Sequence, residues 1–82
     1  MEVKEKFLDA LVDIYYEGHK INECGLDELL YDVTDPYCKI ICELLGIDDE
    51  EYTRMLDEAL MISYNWKYND MMAELRRAGV IQ

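Results

Sequence analysis

Three cysteines and one histidine are the residues of this chain best suited to bind a metal. Cys38 and Cys42 are four positions apart, which places two side chains on one face of a helix. Cys24 and His19 would complete a Cys3His ligand set. However, no two cysteines have the two-residue spacing typical of zinc sites, and free cysteines often pack as small apolar side chains. We therefore predict no metal and no cofactor, and keep a metal-stabilised domain built on these four residues as an alternative.

The chain contains no motif typical of an enzyme active site. It has no G-x-S-x-G nucleophile motif, phosphate-binding loop, H-E-x-x-H zinc motif or dinucleotide-binding glycine pattern. Residues 48–51 are all acidic but lack the alternating ligands and central glycine of a calcium loop. We therefore expect a protein without catalytic activity.

Charge restricts the partners of this protein more than any motif does. The 82 residues include 19 acidic and 8 basic side chains, for a formal net charge of −11, yet 51% of the residues are hydrophobic. A disordered acidic tail would have few aromatic and aliphatic residues, so the composition predicts a folded domain with an anionic surface. That surface repels nucleic acid backbones and anionic lipids. We therefore expect no direct binding to nucleic acid or to a membrane.

The domain organisation and the location of the protein can be predicted from the chain length, the cysteine count and the N-terminal sequence. Its 82 residues are enough for one domain, which we assign to residues 1–82. No run of about 18 apolar residues is present, and the N-terminus mixes acidic residues into its apolar run, unlike a signal peptide. The three cysteines cannot all pair within one chain, and without a secretion signal they are most simply interpreted as reduced thiols. These features predict a cytoplasmic location.

The apolar spacing is helical throughout and predicts an all-α protein, a compact bundle of four to five short helices. The first helix is expected over residues 3–17 and to end at Gly18, followed by a loop over residues 19–25. Leu26, Leu29, Leu30 and Val33 mark a short second helix.

Asp35 and Pro36 suit the start of a third helix, with Asp35 as N-cap and Pro36 in the first helical position. This helix should end at Gly46 and is apolar on nearly every side. A helix of that kind belongs in the middle of a bundle. We therefore expect a buried third helix.

The C-terminal part of the chain contains two apolar rows that are out of phase. Asp48 and Glu51 form a capping box that starts a helix, and its first apolar row includes Tyr52, Leu56 and Ala59. A second row, rotated by more than 100° from the first, comprises five candidate partner-binding residues. They are Met61, Tyr64, Tyr68, Met71 and Leu75. Either the helix breaks near residues 69–70, which the weak helix propensity there favours, or one long helix has two interfaces.

The negative charge is concentrated in three segments, whereas residues 36–46 carry one acidic and one basic residue and no net charge. In the first helix the acidic residues recur every four residues, or about 6 Å along the axis. Like charges at this spacing destabilise a helix slightly. The simple explanation of the row is a solvated helix face. The functional explanation is that the row imitates the phosphate backbone of a nucleic acid. The ten candidate residues for binding a basic partner are Glu5, Asp9, Asp13, Glu17, Asp48, Asp49, Glu50, Glu51, Asp57 and Glu58.

The hypothesis that best fits these features is a small acidic binding protein that occupies the basic surface of a nucleic-acid-binding protein. In size, charge and tyrosine content the chain resembles the small nucleic-acid-mimicking inhibitors that phages and mobile elements encode. That resemblance is one of composition and implies inhibition by occupying a DNA- or RNA-binding groove. An alternative is a self-associating structural or adaptor protein, a homodimer that uses the row from Tyr64 to Leu75.

Overall fold

The computed structural model describes residues 2–80, and they fold into three α-helices joined by short connections. α1 spans Val3–Ile21, α2 spans Asp27–Leu45 and α3 spans Asp49–Arg77. A 3-10 turn, Asn22–Cys24, links α1 to α2. The described residues contain no β-strand, so the all-α class is confirmed, whereas the expected number of four to five helices is wrong.

α1 is the central helix, because it packs against both α2 and α3, which have little contact with each other. Lys4 forms an ion pair with Glu51 near the starts of α1 and α3. His19 contacts Ser63 farther along the same two helices, so α1 and α3 run parallel. The short connection after α1 makes α2 antiparallel to both. The core lies where the helices meet and consists of Phe7, Leu11, Val12, Cys38, Cys42, Ile47 and Ala59.

α2 joins the predicted second and third helices into one. It begins at Asp27 and continues through Asp35 and Pro36, so these two residues do not start a helix. A proline removes one backbone hydrogen bond from a helix. In the turn before it, the Thr34 hydroxyl donates to the Leu30 carbonyl at 2.9 Å. Pro36 therefore interrupts the hydrogen-bond ladder of α2 without ending the helix.

The expectation that residues 36–45 form a buried helix is wrong. Only Cys38 and Cys42 of this segment are buried in the core, while Tyr37, Ile40 and Leu44 are 65%, 53% and 79% exposed. The physical reason is that residues 2–80 form three helices, too few to surround α2. α2 lies beside α1 and buries one face against it, and no described segment covers its other apolar side. The buried central helix is α1.

The glycines mark only some of the helix ends. Gly18 does not end α1, which continues to Ile21, so the loop predicted from residue 19 begins too early. Gly46 ends α2 as predicted, at a positive φ of 70°. There the N–H of Ile47 donates to the Cys42 carbonyl at 2.9 Å, which closes the last turn.

α3 starts with the predicted cap but does not break. The Asp48 carboxylate accepts a hydrogen bond from the Glu51 N–H at 2.8 Å, while the Glu51 carboxylate pairs with Lys4 rather than completing a capping box. The favoured break near residues 69–70 is wrong. Asp70 accepts a hydrogen bond from the Tyr16 hydroxyl of α1, so packing there outweighs weak helix propensity.

The length of α3 determines the shape of the molecule. A helix of 29 residues is about 43 Å long, and the protein measures 48 × 29 × 19 Å. None of the helices in residues 2–80 is long and apolar enough to cross a membrane.

Candidate functional site

A cleft of about 340 Å³ opens between α2 and α3, with α1 beneath it. Its apolar part is formed by Leu11, Ile14, Leu56, Pro36 and Cys38, all of which line the cavity. Three tyrosines and two aspartates complete the lining together with Thr34. They are Tyr15, Tyr31, Tyr52, Asp32 and Asp35. The cleft is therefore an apolar cavity with hydroxyl and carboxylate groups in its walls.

The three tyrosines of the cleft are held in place by packing. The rings of Tyr15 and Tyr31 pack at a tilt, with centroids 5.5 Å apart, and Tyr52 stacks on Phe7. Burial raises the pKa of all three hydroxyls, and for Tyr52 the neighbouring Cys38 side chain adds to the rise. At neutral pH these hydroxyls therefore remain protonated and can donate hydrogen bonds into the cleft.

The carboxylates give this cleft a preference for cations. Asp32 and Asp35 line it, and the negative charge of Asp57 on α3 is close enough to raise the pKa of Tyr15. One cation compensates part of this charge, because Lys39 pairs with Asp35 at 3.2 Å. Tyrosine faces also attract cations. The cleft is suited to a positively charged group with an apolar stem, such as an arginine or lysine side chain of a partner.

The four acidic residues predicted to share one face of α1 do so, and all are exposed: Glu5, Asp9, Asp13 and Glu17. They lie on the side of α1 opposite the buried Phe7 and Leu11. Lys20 lies at the end of the same face and pairs with Glu17 at 3.3 Å.

The six acidic candidates of the α3 region lie at its start and in its first half. Asp48 is the N-cap, and Glu50 and Glu51 pair with Arg54 and Lys4. The others, Asp49, Asp57 and Glu58, are exposed. Across α1 and α3, seven of the ten acidic candidates form no ion pair within residues 2–80. Most of the acidic charge is therefore not neutralised within the described fold.

The second apolar row of α3 lies outside the core, as expected for one long helix with two apolar rows. Met61, Tyr64, Tyr68 and Met71 are exposed, and Leu75 is half-buried. One member also has an internal contact, because the Tyr64 ring stacks on His19 with centroids 4.3 Å apart.

The four candidate metal ligands do not come together. Cys38 and Cys42 are buried in the core, whereas Cys24 is exposed in the 3-10 turn. His19 is buried against Ser63, with Nε2 2.9 Å from Oγ. No cluster of three or more histidine, cysteine or acidic side chains in the described part of the chain could hold a metal ion.

Two surface features were missed by the sequence interpretation. The cleft depends on the angles at which α2 and α3 pack on α1. These packing angles cannot be predicted from a local sequence pattern. The exposed apolar side of α2 does have a signal, because the segment was recognised as apolar on nearly every side. The sequence pattern did not show that this apolar side of α2 is exposed rather than buried.

Comparison of the chain with protein-family models, curated proteins and solved structures gives no match. Inference about function therefore depends on the surfaces described above.

Proposed function

We propose that this protein is a non-catalytic acidic binding protein that occupies the basic surface of a nucleic-acid-binding protein. The observation that carries the proposal is the exposure of its carboxylates, most of which have no ion-pair partner within the described fold. A partner with a basic groove would supply the missing counter-charges. Complementary potentials of this kind increase the rate of encounter and select the partner.

The arrangement of the carboxylates supports a groove-shaped partner. The α1 row, from Glu5 to Glu17, extends for about 18 Å along a rigid helix. Its spacing of about 6 Å per carboxylate provides a repeated negative charge that flexible side chains on a loop would not maintain. The basic groove of a DNA- or RNA-binding protein is shaped to receive such a linear series of negative charges.

Competition with nucleic acid tests this proposal. The immobilised protein is used to capture partners from a lysate of its own host at low and at high salt, and these are identified by mass spectrometry. We expect a basic nucleic-acid-binding protein that is released by salt and displaced by excess duplex DNA or RNA. Capture that resists both salt and nucleic acid would contradict the proposal.

Two charge-reversal variants distinguish the contribution of the α1 acidic row to binding affinity from the contribution of net charge. Asp9→Lys with Asp13→Lys changes the middle of the α1 row. Glu43→Lys with Glu74→Lys, at two exposed positions outside the candidate set, changes net charge by the same amount. We expect the first variant to lose at least about tenfold in affinity and the second to lose much less, because only the first alters the proposed contact. Equal losses would show that net charge alone is responsible.

Self-association through the second apolar row of α3 is a further candidate function, favoured by the exposure of Met61, Tyr64 and Tyr68. In that case the protein is an adaptor and its acidic residues only keep it dispersed. Light scattering should then show an oligomer that Tyr68→Glu or Leu75→Glu converts to a monomer. A monomer before substitution would exclude this function.

A further inference from the structure

The outer side of α2 is a continuous apolar face that nothing in residues 2–80 covers. Seven large apolar side chains on it are between 37% and 79% exposed. They are Leu26, Leu29, Val33, Tyr37, Ile40, Ile41 and Leu44. At about 100° per residue they fall in one sector of about 120°, and the face is about 27 Å long. We call these seven residues the α2 face.

Charged residues are absent from the sector of α2 that contains this face. The five residues Glu28, Asp32, Asp35, Lys39 and Glu43 are grouped on another side of the helix, and Asp27 lies toward α1 on the helical wheel. Within the sector the eighth residue, Leu30, is also apolar. A partner that packs on the α2 face would therefore bury no charge of this chain, which removes the largest cost of forming an apolar interface.

The area of the α2 face is large for a monomer. Seven partly exposed side chains of this size present on the order of 700 Å² of apolar surface, more than the few hundred Å² typical of the largest patch on a monomer. A standard interface takes about 800 Å² from each partner. The α2 face alone nearly provides that area.

The positions of these residues are symmetric about the middle of the helix. Each apolar residue of the sector has an apolar counterpart at the same distance on the other side of position 35. The pairs are Leu26 with Leu44, Leu29 with Ile41, Leu30 with Ile40, and Val33 with Tyr37. When two copies of such a helix pack antiparallel about a two-fold axis at position 35, every apolar residue of one copy faces an apolar residue of the other.

We propose that the α2 face binds a second copy of this chain, forming a two-fold symmetric dimer through antiparallel α2 helices. The area and the internal symmetry favour a second copy over an unrelated partner, which would not require a symmetric pattern. The α2 face is also favoured over the second apolar row of α3. That row has four exposed members, and one of them, Tyr64, already stacks on His19.

The dimer has a salt dependence opposite to that of the binding proposed above. Two chains of net charge −11 repel each other, and salt screens that repulsion. We therefore expect self-association to strengthen with salt, whereas binding to a basic partner should weaken. This inference is independent of the proposed function, and failure of one leaves the other standing.

Sedimentation equilibrium of the full chain at low and high salt tests the proposal. The expected species at high salt has twice the 9.7 kDa mass of the chain. Ile40→Glu and Leu44→Glu should each weaken the dimer by about tenfold or more, because each would bury a charge in the interface. Val3→Glu, at an apolar position of α1 that is 57% exposed and belongs to neither proposed surface, is the matched control and should leave the dimer unchanged. Circular dichroism verifies that each variant is folded.

Cross-linking tests the orientation of the two helices. Val33→Cys and Tyr37→Cys chains, each with Cys24→Ser, are mixed and treated with a short bis-maleimide reagent. The antiparallel dimer predicts that cross-links between the two different chains form several times faster than cross-links between identical chains. A monomer at every salt concentration, a dimer kept with both Ile40→Glu and Leu44→Glu, or faster cross-linking of identical Val33→Cys chains would overturn the proposal.

Discussion

His19 Nε2 lies 2.9 Å from Ser63 Oγ in a buried contact between α1 and α3. The Ser63 hydroxyl has one proton, which it donates to the Leu60 carbonyl at 2.8 Å. Ser63 Oγ therefore accepts the hydrogen bond from His19, and the neutral imidazole is protonated at Nε2. The contact therefore fixes the tautomer of the neutral imidazole, with its proton on Nε2.

The first prediction is that His19 makes stability depend on pH. Burial lowers its pKa below 6.5, nearby Lys67 lowers it further, and Asp27 opposes both. The unfolded chain therefore binds a proton near pH 6.5, before the native state does. The free energy of unfolding should decrease as pH falls below about 6.5, by at most about 1.4 kcal/mol per pH unit, until the native pKa is passed.

Urea unfolding of the wild type and of His19→Gln, between about pH 8 and about pH 5, measures this effect. The carboxylates titrate in both proteins, so their contribution cancels in the comparison. The stability advantage of the wild type over the variant should shrink as the pH falls. An advantage that stays constant over this range would show that the native histidine titrates normally.

The second prediction concerns Gly18, which lies inside α1 against the ring of Tyr31. Replacing glycine by alanine within a helix normally stabilises a protein by about 1 kcal/mol. Here the new Cβ would lie 2.8 Å from Tyr31 Cζ, so the ring or α2 must move. We expect Gly18→Ala to destabilise the protein by about 1–3 kcal/mol, as overpacked substitutions do, measured by thermal and urea unfolding.

The same substitution in a Tyr31→Leu protein distinguishes the steric effect of the new Cβ from its effect on helix propensity. In Tyr31→Leu the ring is absent, and the same Gly18→Ala change should become neutral or stabilising. If Gly18→Ala destabilised both backgrounds equally, Tyr31 would not be the cause.

The local signals in the sequence predicted the class and several ends of the helices. The Gly46 cap and the Asp48 N-cap were correct because each depends on residues within one turn. The interpretations of Gly18 and of residues 69–70 failed because distant residues decide them. Tyr31 packs on Gly18, and Tyr16 holds Asp70. A local pattern contains no information about such tertiary contacts.

The candidate binding surfaces, like the helix ends, could be predicted from the sequence only in part. Periodicity placed Glu5, Asp9 and Asp13 on the outside of α1, where they are found. Periodicity also showed that α2 is apolar on most sides, but not which side a neighbouring helix covers. Burial depends on the number of neighbouring helices, and residues 2–80 form fewer helices than the pattern suggested.

The third prediction is that Asp48 stabilises α3 as its N-cap, whereas its neighbour does not. Asp48 accepts the Glu51 N–H at 2.8 Å, and Asp49 is an exposed residue of the first turn. Asp48→Ala should cost about 0.5–2 kcal/mol of unfolding free energy. Asp49→Ala removes the same charge from nearly the same place and should cost much less, as measured by urea unfolding. Equal effects would indicate that charge near the helix dipole, rather than the cap, is responsible.

The fourth prediction is that one of the three thiols reacts much faster than the other two. Cys24 is exposed, whereas Cys38 and Cys42 are buried and burial raises the pKa of both thiols. Only the thiolate attacks a disulfide reagent, so a buried thiol with a raised pKa must wait for the fold to open. With Ellman's reagent at neutral pH we expect one fast equivalent per native chain and three in denaturant.

Cys24→Ser should remove the fast phase and leave the slow one unchanged. The slow phase should accelerate with low concentrations of urea, because opening of the structure limits it. Fast reaction of two or three thiols in the native protein would show that the contact of α2 with α1 around Cys38 and Cys42 opens readily. In that case the core that supports both the cleft and the α2 face would be less stable than its burial indicates.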